Sequence, residues 1–155
     1  METLAPGKVE SNWLPTEKLK SERLSVRRII AAVDLTRKCE ATVRYAAAIA
    51  RHHGALLYIT YVFWPSMRAR GDYLIDQEQR ESLKTLKELA NQVRDIVPSC
   101  KSALLVGEPA KRVSALARDI QADLIATSSY YQILLNSLIR TTPCSILVYH
   151  EADIC

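Results

Sequence analysis

Arg28-Ile29-Ile30-Ala31-Ala32-Val33-Asp34 is a short, unbroken apolar run that ends in an acid. A half-exposed strand alternates apolar and polar residues, because successive side chains point to opposite faces. A strand that stays apolar at every position is buried on both faces, as in a parallel sheet covered by helices. The residues after Asp34 agree with that reading. Thr36 is a suitable N-cap, and residues 37–53 place Val43, Ala46, Ala47, Ile49 and Ala50 on one helical stripe. His52 and His53 stand in the last turn, where cations suit the helix dipole, and Gly54 supplies the stop. Adjacent helical positions point in different directions, so this histidine pair cannot chelate one metal ion.

The same alternation continues along the chain. Residues 56–63 (Leu-Leu-Tyr-Ile-Thr-Tyr-Val-Phe) form a second strand of β-formers. A loop with Pro65, Gly71 and Asp72 leads to a helix over 76–97, with Leu83, Leu86, Ala90, Val93 and Val97 on its core face and Pro98 as terminator. Lys101–Val106 is a third strand closed by Gly107. Pro109 then opens a helix whose inner face carries Val113, Leu116, Ala117 and Ile120. Asp123–Ser128 is a fourth strand. A helix over 130–141 with Leu134, Leu135, Leu138 and Ile139 inside is stopped by Pro143, and Ser145–Tyr149 is the fifth strand. Strands separated by helices throughout require parallel pairing with right-handed crossovers, which gives a three-layer α/β/α sandwich.

Residues 1–26 stand apart from this pattern. Pro6, Gly7 and Pro15 interrupt them, and a short helix from Thr16 to Leu24 is the only regular element they suggest. Trp13-Leu14 is their one sticky spot. The segment reads as a partly flexible extension that either stays loose or docks those two residues on the domain or on a partner. Residues 27–155 form the domain.

A chain of 155 residues fits one domain and buries about 70% of its unfolded surface, enough for a core without staples. The net charge of +4 is spread evenly: residues 1–28 carry six Lys/Arg against four Asp/Glu, and residues 29–155 carry fifteen against thirteen. No basic arm or stripe emerges, so neither nucleic acid nor an anionic membrane is indicated. Cys39, Cys100, Cys144 and Cys155 show no CxxC or Cys/His ligand spacing, and reduced thiols and no metal site are expected. No signal-peptide pattern and no membrane-spanning apolar run is present, which predicts a cytoplasmic protein.

Three stretches are more specific. Ile29-Ile-Ala-Ala-Val-Asp34 before an Ala-rich helix, Val106-Gly107-Glu-Pro109-Ala110, and Asp123-Leu-Ile followed by Thr142-Pro143-Cys144-Ser-Ile-Leu-Val148 together resemble the universal stress protein family over residues 27–150. That resemblance implies a five-stranded sheet of order 3-2-1-4-5, as in adenine nucleotide alpha-hydrolase-like folds. It also implies a ligand crevice outside the carboxyl ends of the first and fourth strands, where the strand order reverses. Val33, Asp34, Val62, Thr127, Ser128 and Ser129 would line it.

Nucleotide-binding members of that family carry Gly-x2-Gly-x9-Gly-Ser/Thr after the fourth strand, where glycines bring backbone amides close to phosphate oxygens. Here the stretch reads Thr127-Ser-Ser-Tyr-Tyr-Gln-Ile133. The first two glycine positions fall on Ser128 and Tyr131, and most of the loop has no counterpart. Tyr131 in a glycine's place implies a strained backbone costing about 1 kcal/mol or more, with its ring in phosphate space. The resemblance with a degenerate loop therefore implies that ATP is not a cofactor.

Several roles stay open at the level of residues. Asp34 either faces a ligand, or caps the helix and binds loop amides. Ser128 and Ser129 either hold an anion or serve as N-caps, and Tyr130-Tyr131 either stack on a base or fill the crevice mouth. Asp34-Leu-Thr-Arg37 is not the Ser-Gly-Gly type of phosphate loop found in nucleotide-activating enzymes of similar fold, and no catalytic constellation converges elsewhere. The reading is a non-enzymatic regulatory or scaffold domain in stress response, with an unidentified protein partner. The alternative is a sensor of a small ligand or nucleotide (ATP or AMP) at the crevice. The resemblance also implies a homodimer in which Ser145, Ile146, Leu147, Val148 and Tyr149 pair antiparallel with a second copy, and no charge on that strand blocks such pairing.

Overall fold

A computed structural model describes residues 15–21, 24–36, 39–65 and 72–150. Strand β1 (Arg28–Val33) pairs in parallel with β2 (Leu56–Phe63) on one side and β4 (Leu124–Ser128) on the other. Strand β3 (Lys101–Val106) flanks β2, and β5 (Ser145–Tyr149) flanks β4, giving the order β3-β2-β1-β4-β5. Helices α2 (Cys39–His53) and α3 (Asp72–Arg94) cover one face; α4 (Pro109–Asp119) and α5 (Gln132–Thr141) cover the other. The short α1 (Thr16–Ser21) precedes the sheet, and its side chains from Thr16 to Lys20 are exposed.

The alternation of β1 divides the core in two. Ile29, Ala31 and Val33 point into the α2/α3 layer with Val43, Leu57 and Leu86, while Ile30 and Ala32 point into the α4/α5 layer with Val113, Ile125 and Leu134. The start of β1 is pinned by Asp123, whose Oδ2 accepts the amides of Arg27 (2.7 Å) and Arg28 (3.0 Å). The Asp123 amide donates in turn to the Arg28 carbonyl at 2.9 Å. A charged acceptor takes amides that the ladder leaves unpaired there.

Several element boundaries, and one expected core position, differ from the sequence reading; β4 begins at Leu124 and α5 at Gln132, one and two residues later than expected. Thr36 does not stand at the N-cap of α2, which begins at Cys39; its hydroxyl donates to Asp34 instead. Helix α3 starts at Asp72 rather than 76, and Leu74 in its first turn is exposed, so the core-face spacing begins only further along. It ends at Arg94, and Val97 lies in the turn that follows, bonded to Val93 and confined by Pro98. Ile139, expected inside α5, is 64% exposed, whereas Leu134 and Leu138 are fully buried. The short helix expected from Thr16 to Leu24 ends at Ser21, residues 22–23 lie outside the described residues, and Leu24 is exposed.

Two helices end in the same motif with different residues. At α2, Gly54 (φ +63°) donates to Arg51 and Ala55 to Ala50; at α4, Gln121 (φ +54°) donates to Arg118 and Ala122 to Ala117. Both are Schellman closures, and the left-handed position favours glycine because it lacks a Cβ. A Cβ on Gly54 would meet nothing within 4 Å, so only the backbone would resist it. Gly54→Ala is therefore expected to cost about 1 kcal/mol and Gln121→Gly to gain a similar amount. Urea unfolding midpoints check this, and two shifts of the same sign would contradict it.

Candidate functional site

The strand order reverses between β1 and β4, and the carboxyl ends at such a reversal are where open α/β sheets form a ligand crevice. The β1–β4 ladder runs from Ile29↔Leu124 to Ala31↔Ala126. One residue further, the fully buried Thr127 hydroxyl donates to the Ala32 carbonyl at 3.3 Å, tying the diverging strands together. Asp34 follows directly on β1. Its Oδ1 accepts the Thr36 amide at 3.0 Å and the Thr36 hydroxyl at 2.7 Å. This turn places Leu35 at φ +60°, a conformation that costs a non-glycine residue about 1 kcal/mol. Packing of the half-buried Leu35 on the α2/α3 core helps to offset it.

The end of β4 folds back on itself. Ser128 Oγ accepts the Tyr130 amide (3.1 Å) and the Ser128 carbonyl accepts the Tyr131 amide (3.0 Å), so residues 128–131 form a tight turn into α5. The Ser129 amide donates to Tyr149 (2.9 Å), and its hydroxyl is hydrogen-bonded to His150 Nδ1 (3.0 Å). Thr127, Ser128 and Ser129 thus each spend a hydroxyl on the protein itself. Tyr131 sits at φ −87°, ψ 61°. The left-handed strain expected for it is not there, because its φ is negative within the turn that leads into α5.

Of the six residues expected to line the crevice, Asp34 and Ser129 are half-buried at its mouth, and Thr127 and Ser128 are buried in its wall. Val33 and Val62 point to opposite faces of the sheet, into the α2/α3 and α4/α5 cores respectively, and both are buried. Tyr131 is half-buried and packs on the core cluster that contains Ile30, Ala32 and Val62.

Three groups not singled out as site residues, or not for this reason, share the Asp34 carboxylate as a charged neighbour. Burial, then Tyr61 and Asp34, push the Tyr131 phenol up to about 12. Burial also raises Tyr61, against a Ser82 hydrogen bond that lowers it, and burial with the Asp34 charge pushes the Cys39 thiol up to about 11. Cys39 is therefore a protonated, unreactive thiol near neutral pH. Tyr61 stands opposite Val33 in the β1–β2 register, and only that pairing brings it to the site. No group of three or more His, Cys, Asp or Glu among the described residues is arranged to hold a metal ion.

The sequence model of the universal stress protein family matches residues 25–130, from just before β1 into the turn after β4. The chain belongs to that family. No curated protein matches it in sequence. Among solved structures, the universal stress protein UspA from Lactobacillus plantarum superposes with a TM-score of 0.71 at 20% identity, covering 81% of this chain and 99% of that one. A universal stress protein family member from Burkholderia pseudomallei gives 0.70 at 20% identity (83% and 98% covered). The Archaeoglobus fulgidus universal stress protein, solved in complex with dAMP, gives 0.65 at 21% identity (81% and 98% covered). At these identities the likeness concerns the fold. No helix among the described residues of this universal stress protein is long and apolar enough to cross a membrane.

The raised phenol and thiol values have a stability consequence. A group whose folded-state pKa lies above its unfolded value stabilises fully below the unfolded value and loses that contribution as pH rises through the folded one. For Tyr131 the window runs from its ordinary value of 10 to about 12. Wild-type stability should therefore fall across this window, and Tyr131→Phe should fall less steeply. Urea midpoints from about pH 8 upward test this against the ordinary tyrosine range; parallel declines in the two proteins would refute it.

Proposed function

We propose that this universal stress protein is a non-enzymatic regulatory domain that does not hold ATP at its switch point and that works as a homodimer. The observation that carries the first part is the Ser128–Tyr131 turn. It uses the Ser128 hydroxyl and carbonyl internally and sets Tyr131 beside Asp34 and Tyr61, where a phosphate loop would need space and free amides. A triphosphate arriving there would find few unpaired donors and a buried ring in its path.

Asp34 supports a narrower second reading, in which the crevice takes a nucleotide with fewer phosphates. Its carboxylate keeps the place at the end of β1 that faces a ligand in the family's binding members, and the Archaeoglobus fulgidus relative is described with dAMP bound. Thermal unfolding with Mg-ATP, ADP, AMP and cyclic AMP separates the two readings. A ligand at 100 times its dissociation constant stabilises by about 2.7 kcal/mol, readily seen as a shift in Tm. No shift with Mg-ATP is expected. A clear shift with it would overturn the proposal, and one with AMP or cyclic AMP alone would favour the second reading.

The dimer is supported by the character of β5. It pairs with β4 on one side, it is uncharged, and Val148 on it is 39% exposed. A flat, uncharged edge strand is a template for pairing with another chain. Tyr149 is braced by Tyr45 of α2 with ring centroids 5.7 Å apart. Antiparallel pairing of Ser145–Tyr149 with a second copy would satisfy that edge. Sedimentation velocity is expected to show a dimer that Val148→Lys converts to monomer; a wild-type monomer at all concentrations would contradict it.

A further inference from the structure

On the α4/α5 face the two helices pack directly on each other, but α2 and α3 barely touch. The space between them is a groove of about 760 Å³, within the range of about 300–1,000 Å³ typical of ligand pockets. Val43, Ala47 and Val93 form its apolar floor, Ile96 (54% exposed) stands at one end, and Arg44 and Arg51 edge it. Every lining residue belongs to α2, α3 or the turn after α3, so nothing else among the described residues covers it.

We propose that this groove is the docking site of the chain's own N-terminal segment, with Trp13 and Leu14 seated in it. Those two residues lie outside the described residues. The direction from which the chain arrives favours them as the occupant. Val26, two residues before β1, is buried in the same α2/α3 core cluster as Val43, Ala47 and Val93. The preceding chain therefore leaves the domain on the groove's own face. It also leaves at the groove's own end: the Arg27 carbonyl accepts the Leu56 amide just past the close of α2, where Arg51, His52 and Ile96 line the groove.

Reach and chemistry agree with that placement. Between Val26 and Leu14 the chain includes the six residues of α1, and its remaining links extend it to about 25–30 Å in all. The groove follows α2, whose 15 residues span about 22 Å. Trp13-Leu14 is the bulkiest apolar pair of a segment carrying Glu2 and Glu10 against Lys8, which complements Arg44 and Arg51 against Glu40 at the groove. A tethered segment acts at a high effective concentration, so the same chain competes well against a second copy or a separate partner.

The full chain has two tryptophans, Trp13 and the half-exposed Trp64 after β2. In Trp64→Phe protein, Trp13 is the sole reporter. Its fluorescence should be blue-shifted relative to free tryptophan, shielded from acrylamide, and unchanged on dilution. Adding Ala48→Arg or Ile96→Asp, both at exposed groove positions, should shift the emission red and remove the shielding while the domain's circular dichroism is kept. Using two separate groove variants keeps the test decisive if one of them fails to fold. A solvent-exposed Trp13, shielding that survives both groove variants, or shielding lost on dilution (a second copy as occupant) would each overturn the proposal.

Discussion

Burial of β1 on both faces is the constraint from which the rest follows. Ile29, Ile30, Ala31, Ala32 and Val33 are all at most 2% exposed. A strand with no exposed face needs a helix layer above and below, and its backbone groups need a paired strand on each side. The chain meets the first demand with α2 and α3 against α4 and α5, and the second with β2 and β4. Once β2 and β4 flank β1 from opposite sides, the strand order must reverse beside it. The crevice at Asp34 is the geometric result of that reversal.

What the chain has done with the crevice is a matter of satisfying polar groups. The end of β4 carries hydroxyls and carbonyls that need partners wherever they are buried. Thr127 bonds across to β1, Ser128 closes its own turn and Ser129 reaches His150, so each of these three hydroxyls has a partner within the protein. Tyr131 adds a ring whose phenol burial pushes further above its ordinary value. Among the described residues, the half-buried Asp34 brings a carboxylate to the mouth, and Thr36 engages it through its amide and hydroxyl.

The element sequence was readable from residues because its signals are local: a doubly apolar strand, helical stripes, and Gly54, Pro98, Pro109 and Pro143 as punctuation. The strand order was not local and came from the resemblance carried by three short motifs. Structure supplies a physical role for one of them, since Asp123 holds the amides of Arg27 and Arg28. Other features depend on what packs where. Ile139 has the spacing of a core residue but faces outward. Thr36 has the chemistry of an N-cap but serves Asp34. Tyr61 reaches the site only through the register that sets it opposite Val33, and periodicity carries no register between distant strands. The left-handed Gln121 was equally hidden, because glutamine gives no sign of a conformation that glycine would announce.

The proposed failure of the switch point to hold ATP has a direct readout in what the protein carries out of the cell. Denaturing the freshly purified, full-length protein and assaying the released small molecules by chromatography is the most direct test. A closed switch point predicts that no ATP is released; ATP recovered in proportion to the protein would contradict it.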